Sequence, residues 1–314
     1  MNVRIVFMGT PAFAVPSLRS LVKQGYDIPA VYTRPAQPAG RGRMLRPSAV
    51  REAAEELRLP VYEIASLVAE ERVEQLRRLR PDVIVVAAFA HLIPPGVLAL
   101  PERGCLNVHP SLLPKYRGPS PVAESLRAGD DVTGVTIMLM DEGLDTGPIV
   151  NQASVPIADS DTTGSLTHSL ALLGADLLCS TIEGWVRGEM ASRPQDPSMA
   201  TYSRKVTADA GRLDWSEPAD ALWRKVRAYH PWPVCYTLWN GKRLRIHSAH
   251  PVAATQCAPV GKVVRLGENG RSIGVVAGRG TLLLDSVQLE GKRRVSVEEF
   301  ARGQSKFIDS VLIS

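Results

Sequence analysis

The chain has 314 residues, 45% of them hydrophobic and 22% charged, with a net charge of +5. That length favours two domains, and that composition is ordinary for a globular protein with a large core. Four scattered cysteines, Cys105, Cys179, Cys235 and Cys257, form no Cys-x-x-Cys pair, which speaks against a disulfide framework or a zinc site and for reduced thiols in a cytoplasmic setting. The opening MNVRIVFMGTPAF enters a strand at once, and neither a secretion signal nor a membrane span is visible. Charge is unevenly spread: residues 203–314 hold 18 Lys and Arg against 10 Asp and Glu, whereas residues 1–202 hold 19 against 22. A basic C-terminal third points either to a polyanionic partner or to a merely soluble basic surface.

Arg4 to Met8 reads as a strand, Gly9-Thr10-Pro11 as a turn and Val15 to Lys23 as a helix. The turn lacks Gly-x-Gly-x-x-Gly spacing and no Gly-Lys-Ser/Thr loop follows, so a dinucleotide cofactor and ATP are both disfavoured. Ile28 to Tyr32 is a second strand. From there to Arg51 no acidic residue occurs, while Arg34, Arg41, Arg43, Arg46 and Arg51 are all basic. The Pro- and Gly-rich stretch TRPAQPAGRGRMLRP argues for a surface excursion without regular structure. Its arginines can fork onto phosphates, or the loop can simply be solvated.

Ser48 to Leu57 reads as a helix, Val61 to Ile64 as a strand, and Ala69 to Leu79 as a charged amphipathic helix. The apolar run Asp82 to Ala88 suits a parallel strand covered on both faces. Pro121 to Ala128 and Thr163 to Arg187 read as helices, the second with apolar spacing at Leu166, Leu170, Leu173 and Leu177. Thr133 to Met140 and Ile149 to Ile157 read as strands, the latter at an edge. Glu189 to Gly211 is polar, contains Pro194 and Pro197, and is expected to be an interdomain linker with a basic point at Arg204 and Lys205.

Beyond it come a short helix, Pro218 to Ala228, and five short strands: Cys235 to Trp239, Lys242 to His247, Gly261 to Leu266, Ser272 to Ala277 and Thr281 to Leu289. Asn240-Gly241 is a hairpin turn. Such a pattern predicts a small barrel of oligonucleotide-binding (OB) type with a basic surface from Arg243, Arg245, Lys262, Arg265, Lys292, Arg293 and Arg294. The expected fold class is therefore α/β: a Rossmann-like, mostly parallel sheet over residues 1–188, a linker over 189–211 and an OB-like β-barrel over 212–314.

The most informative stretch is NVHPSLLPKYRG, residues 107–118, with the loop DEGLDTG, residues 141–147. Gly104 to His109 reads as a short buried strand, and period-two alternation puts Asn107 and His109 on one face with Leu106 and Val108 on the other. Pro110 ends the pairing. In an open α/β sheet the carboxyl edge is where ligands bind. An amide donor beside an imidazole serves acyl-type transfer, which needs a stabilised oxyanion and the movement of one proton. Asp145 would fix the tautomer of the ring and favour its protonated form. Taken alone, Asn-x-His or Asp-Thr-Gly often arises by chance. Ser111 is no nucleophile candidate, since no Gly-x-Ser-x-Gly elbow surrounds it.

Together the two strings closely resemble the signature of the folate-dependent formyltransferases. That resemblance implies Asn107, His109 and Asp145 as catalytic residues and 10-formyltetrahydrofolate as formyl donor, with no metal. It further implies folate contacts from Phe89, Ala90, His91 and Leu92, from the turn Pro110, Ser111, Leu112 and Leu113, and from Asp141 and Gly143. His91 departs from the small or aliphatic residues of the family. It is either a solvent-facing loop residue or a contact that tunes the folate pocket. The string Pro-Ala-Gly-Arg-Gly resembles the insertion loop that family members acting on methionyl-tRNA place against the initiator acceptor stem. This implies initiator methionyl-tRNA as partner and tRNA contacts from Arg34, Arg41, Arg43, Arg46 and Lys205. The rival acceptors are a nucleotide sugar and glycinamide ribonucleotide; a non-enzymatic RNA-binding protein is the remaining alternative. With no heptad or apolar strip, a monomer is expected, and no membrane partner.

Overall fold

A computed structural model describes residues 3–39, 44–89, 91–253, 258–267, 270 and 272–313. The chain divides into two units. The first holds residues 1–121, 132–156 and 167–203, and the second holds 122–131, 157–166 and 204–314.

The strands of the first unit are β1 (Arg4–Gly9), β2 (Asp27–Thr33), β3 (Gln37–Ala39), β4 (Met44–Arg46), β5 (Val61–Glu63), β6 (Val83–Ala87), β7 (Cys105–His109), β8 (Val132–Leu139) and β9 (Ile149–Pro156). Seven of them form one sheet in the order β5-β2-β1-β6-β7-β8-β9. Pairing is parallel from β5 to β7 and antiparallel from β7 to β9. Strand order reverses between β1 and β6, which is where an open sheet of this kind leaves a crevice at its carboxyl ends. All five residues of β6 are buried, and each Val or Ile so buried contributes roughly 1.5–3 kcal/mol.

The helices are α1 (Val15–Lys23), α2 (Ala49–Glu56), α3 (Glu70–Arg78), α4 (Pro95–Leu98), α5 (Pro121–Ala128), α6 (Thr163–Val186), α7 (Ala219–Ala228) and α8 (Val297–Gly303). The side chain of Ser48 caps α2 by accepting from the Arg51 amide at 3.0 Å, a contact worth about 1 kcal/mol. The 24-residue α6 has a mean hydropathy of 1.3 over its most apolar window and passes for a membrane span by length and composition. It packs on the sheet instead: a Cβ at Gly174 would lie 2.8 Å from Val108 Cγ1. Its buried stripe runs through Leu166, Leu170, Gly174, Leu178 and Ile182, so Leu173 and Leu177, taken from the sequence as core positions, stand at its flanks.

The expectation of an irregular excursion after β2 is corrected. β3 and β4 pair antiparallel, Gln37 with Arg46 and Ala39 with Met44. Pro38 is tolerated because this two-stranded ribbon joins no larger sheet. Arg41 and Arg43 lie outside the described residues, as do Ala90 and Cys257.

In the second unit β10 (Cys235–Trp239), β11 (Lys242–Val252), β14 (Thr281–Leu289), β13 (Ser272–Val276) and β12 (Val263–Leu266) pair in that order, and β15 (Val295–Ser296) pairs with β14. All pairs are antiparallel. β11 runs five residues past its expected end at His247, with register shifts between Ile246 and Ala249 that bend it along β14. The C-terminal segment touches both ends of this path, bridging Ile313 to Leu238 of β10 and Val311 to Lys262 beside β12. Trp215 is 1% exposed in the core and satisfies its indole N–H on Thr237 Oγ1 at 3.0 Å.

Candidate active site

Strand β7 carries the site as alternation requires. Leu106 and Val108 are buried on one face, and Asn107 and His109 project from the other. Because β8 runs antiparallel to β7, with Leu139 opposite Leu106, the loop after β8 begins beside the start of β7. It must turn back across the face bearing Asn107 and His109. Asp145 sits in that return at φ +52°, and Ala88 (φ +47°) and Tyr116 (φ +60°) also hold left-handed backbone beside the site. Such conformations cost an L-residue roughly 1–2 kcal/mol each, so neighbouring bonds must hold them. Gly147 is required where it stands: a Cβ there would lie 1.8 Å from the Leu139 carbonyl oxygen.

The structure brings the three expected catalytic residues together. Asn107 Nδ2 donates to Asp145 Oδ1 at 3.5 Å, and His109 Nδ1 lies 3.7 Å from Asp145 Oδ2. The Gly118 amide donates to Asp145 Oδ2 at 2.7 Å, and His109 Nε2 bonds the Tyr116 carbonyl at 3.2 Å. A carbonyl only accepts, so Nε2 carries the hydrogen and Nδ1 is the position at which a further proton is taken up, facing the Asp145 carboxylate. Burial pulls the His109 pKa below its ordinary value, opposed by the Asp145 charge and by the Tyr116 carbonyl.

A cavity of about 530 Å³ opens over this constellation, within the size range of small-molecule sites. Phe89, His91, Leu92, Pro110, Asp141 and Gly143 line it beside Asn107, His109 and Asp145. Ser111, Leu112 and Leu113 do not. Ser111 is fully buried, its hydroxyl donating to the Lys115 carbonyl, and the Leu113 amide donates to Thr136 Oγ1. Their part is to build the turn beneath the pocket. Asp141 shapes the loop by accepting from the Gly143 amide and the Thr146 hydroxyl.

His91 is half-buried on the cavity wall. Its ring stacks edge-on against Phe89 at 5.2 Å and its Nε2 is buried without a partner. An orphaned donor or acceptor at a pocket wall fits a polar ligand that completes it. Arg34 follows β2, Arg46 lies exposed on β4, and Lys205 is exposed in the second unit. Among the described residues no cluster of His, Cys, Asp and Glu has a metal-ligating arrangement.

Residues not singled out by the sequence complete the site. Arg117 and Gln195, 5% and 8% exposed, form a buried pair behind Asp145. Arg117 stands inside the motif string and was legible there. Gln195 stands 50 residues beyond Asp145 in a polar stretch with no pattern to mark it.

The formyl transferase family model matches residues 1–182, and the model of the formyl transferase C-terminal domain matches residues 205–305. The chain belongs to the formyl transferase family. Among formyl transferases it is 43% identical over 300 residues to the methionyl-tRNA formyltransferase of Halalkalibacterium halodurans, covering 96% of this chain and 94% of that protein. It is 44% identical over 297 residues to the methionyl-tRNA formyltransferase of Methylococcus capsulatus, covering 95% and 96%. HypX from Aquifex aeolicus, solved in complex with tetrahydrofolic acid, shares the fold with a TM-score of 0.64 at 18% identity, over 99% of this chain and 48% of that one.

Proposed function

We propose that this formyl transferase moves the formyl group of 10-formyltetrahydrofolate onto the α-amino group of methionine carried by initiator methionyl-tRNA. The observation that carries the reading is the contact set of Asn107, His109 and Asp145 under the 530 Å³ cavity. Similarity to methionyl-tRNA formyltransferases along about 95% of the chain favours the tRNA acceptor over a small amine.

The cavity suits a folate: Phe89 and Leu92 offer apolar surface, Asp141 offers acceptors, and His91 Nε2 awaits a partner. When bound, the cosubstrate supplies the formyl carbon. Asn107 has two amide hydrogens; one points to Asp145, and the other is free to donate where negative charge develops on the formyl oxygen. His109 takes up at Nδ1 the proton released by the attacking amine, where Asp145 stabilises the imidazolium and the Tyr116 carbonyl fixes the ring, and gives it to the folate nitrogen that leaves as its bond to the formyl carbon breaks.

Acceptor binding is assigned to the basic side chains Arg34, Arg41, Arg43 and Arg46 and to Lys205, which neutralise phosphates. Residues 1–188 are proposed as the catalytic domain, with 189–203 packed into its site, 204–211 as the connection and 212–314 as an OB-like tRNA-binding domain. The C-terminal segment that bridges both β10 and the start of β12 supports the barrel reading. The enzyme is proposed to work as a cytoplasmic monomer.

Asn107→Ala tests the assignment. Loss of one oxyanion donor typically lowers kcat by about 10²- to 10³-fold, and the formyl-donor KM is expected to stay near the native one. A turnover within about threefold of the native enzyme contradicts it.

A further inference from the structure

We infer that Gln195, held in one amide orientation by Arg117, is a positioning residue for the Asp145 carboxylate. The inference rests on the formyl-transfer reading of Asn107, His109 and Asp145. Arg117 Nε and Nη2 both donate to Gln195 Oε1, at 3.0 and 2.8 Å. A guanidinium has only donors, so it selects the amide oxygen and leaves the amide nitrogen on the opposite side. There Gln195 Nε2 donates to the Asp145 carbonyl at 2.8 Å and to the Gly147 carbonyl at 2.7 Å. Both hydrogens of the amide are spent on the loop that returns Asp145 to the site. With the opposite orientation, an amide NH₂ would face the guanidinium and an oxygen would face two carbonyls.

This grip falls on the part of the loop least able to hold itself. Asp145 has left-handed backbone, and Gly147 passes against the Leu139 carbonyl. Where this loop sits sets the carboxylate's contacts to Asn107 and His109, which are 3.5 and 3.7 Å long. Three consecutive residues then address the whole site. The Tyr116 carbonyl accepts from His109, the Arg117 guanidinium orients Gln195, and the Gly118 amide donates to Asp145. The first two are themselves pinned by the 195–203 segment: Thr201 Oγ1 accepts from the Tyr116 amide, the Thr201 carbonyl from the Arg117 amide, and the Ser203 amide donates to the Arg117 carbonyl. A segment far from the motif in sequence is in this way joined to the geometry of the reaction.

The test uses the full-length enzyme with Gln195→Glu, which keeps the Arg117 contact and loses the donor to both carbonyls, and Gln195→Met, which keeps the length and loses both. Steady-state formyl transfer across pH, tetrahydrofolate binding by titration calorimetry, and Asn107→Ala as a control are measured together. The expected result is a kcat reduced by about 10- to 100-fold, the scale of a misplaced catalytic group, with tetrahydrofolate affinity within about threefold of native. The acid limb of kcat is expected to move to lower pH, because a displaced Asp145 no longer favours the charged His109 ring. An unchanged kcat, or a reduced one with an unmoved acid limb, overturns the inference. So does a loss of tetrahydrofolate binding in both variants, which marks Gln195 as a packing residue of the pocket. If Asn107→Ala also retains its turnover, the assignment of the site fails and this inference falls with it.

Discussion

Replacing Asp145 with asparagine keeps the size of the side chain and removes its charge. In the native site one carboxylate oxygen accepts from the Gly118 amide at 2.7 Å and lies 3.7 Å from His109 Nδ1, and the other faces Asn107 Nδ2 at 3.5 Å. An asparagine has one acceptor oxygen for the two N–H donors, Gly118 and Asn107. Turned toward Gly118, it sets its NH₂ against the NH₂ of Asn107; turned the other way, it sets that NH₂ against the Gly118 amide. The lost charge is worth at most about 4.5 kcal/mol to a proton on His109, for unit charges at this distance and an effective dielectric near 20. His109 is already drawn toward its neutral form by burial, so without Asp145 it protonates only at lower pH and holds the transferred proton poorly. We expect kcat for formyl transfer to fall by about 10²- to 10⁴-fold, the usual share of general acid–base assistance, with the donor KM little changed and the acid limb of kcat shifted to lower pH. Steady-state assays from acid to neutral pH read all three. A kcat within about threefold of native, or an unmoved acid limb with turnover intact, would refute the assignment of Asp145.

Gly147→Ala is expected to destabilise the fold by about 1–3 kcal/mol, because its Cβ would sit 1.8 Å from the Leu139 carbonyl oxygen and the loop must move; an unaltered urea midpoint would show that no such crowding exists. Removing the charges of Arg34 and Arg46 together should weaken methionyl-tRNA binding and flatten its dependence on salt by a slope of about 1 per lost phosphate contact. An unchanged slope in a filter-binding titration would place the tRNA elsewhere.

The strands that build the site were legible because their signals are local. Gly104 to His109 alternates with period two and ends at a proline, and the structure places a strand at Cys105–His109. After Asp82 the run to Ala88 is wholly apolar, as a strand buried on both faces must be, and β6 lies within it. The ribbon of β3 and β4 was hidden because its strands are only three residues long and lie in a stretch punctuated by Pro and Gly, where nothing local distinguishes an isolated hairpin from a loop. The return of the Asp145 loop across the β7 face depends on β8 being antiparallel, a property of topology rather than of any residue pattern. Gln195 was illegible for a related reason. Its partner Arg117 is 78 residues away, and a lone glutamine between two prolines reads as solvated chain until three hydrogen-bonding groups are seen to surround it.

The central claim is tested most directly by presenting 10-formyltetrahydrofolate with three acceptors under one salt condition: methionyl initiator tRNA, methionyl elongator tRNA and glycinamide ribonucleotide. Rapid formylation of the initiator alone is the predicted result. Transfer to the small amine alone would leave the site chemistry standing and contradict the tRNA assignment, and transfer to none of the three would contradict the account as a whole.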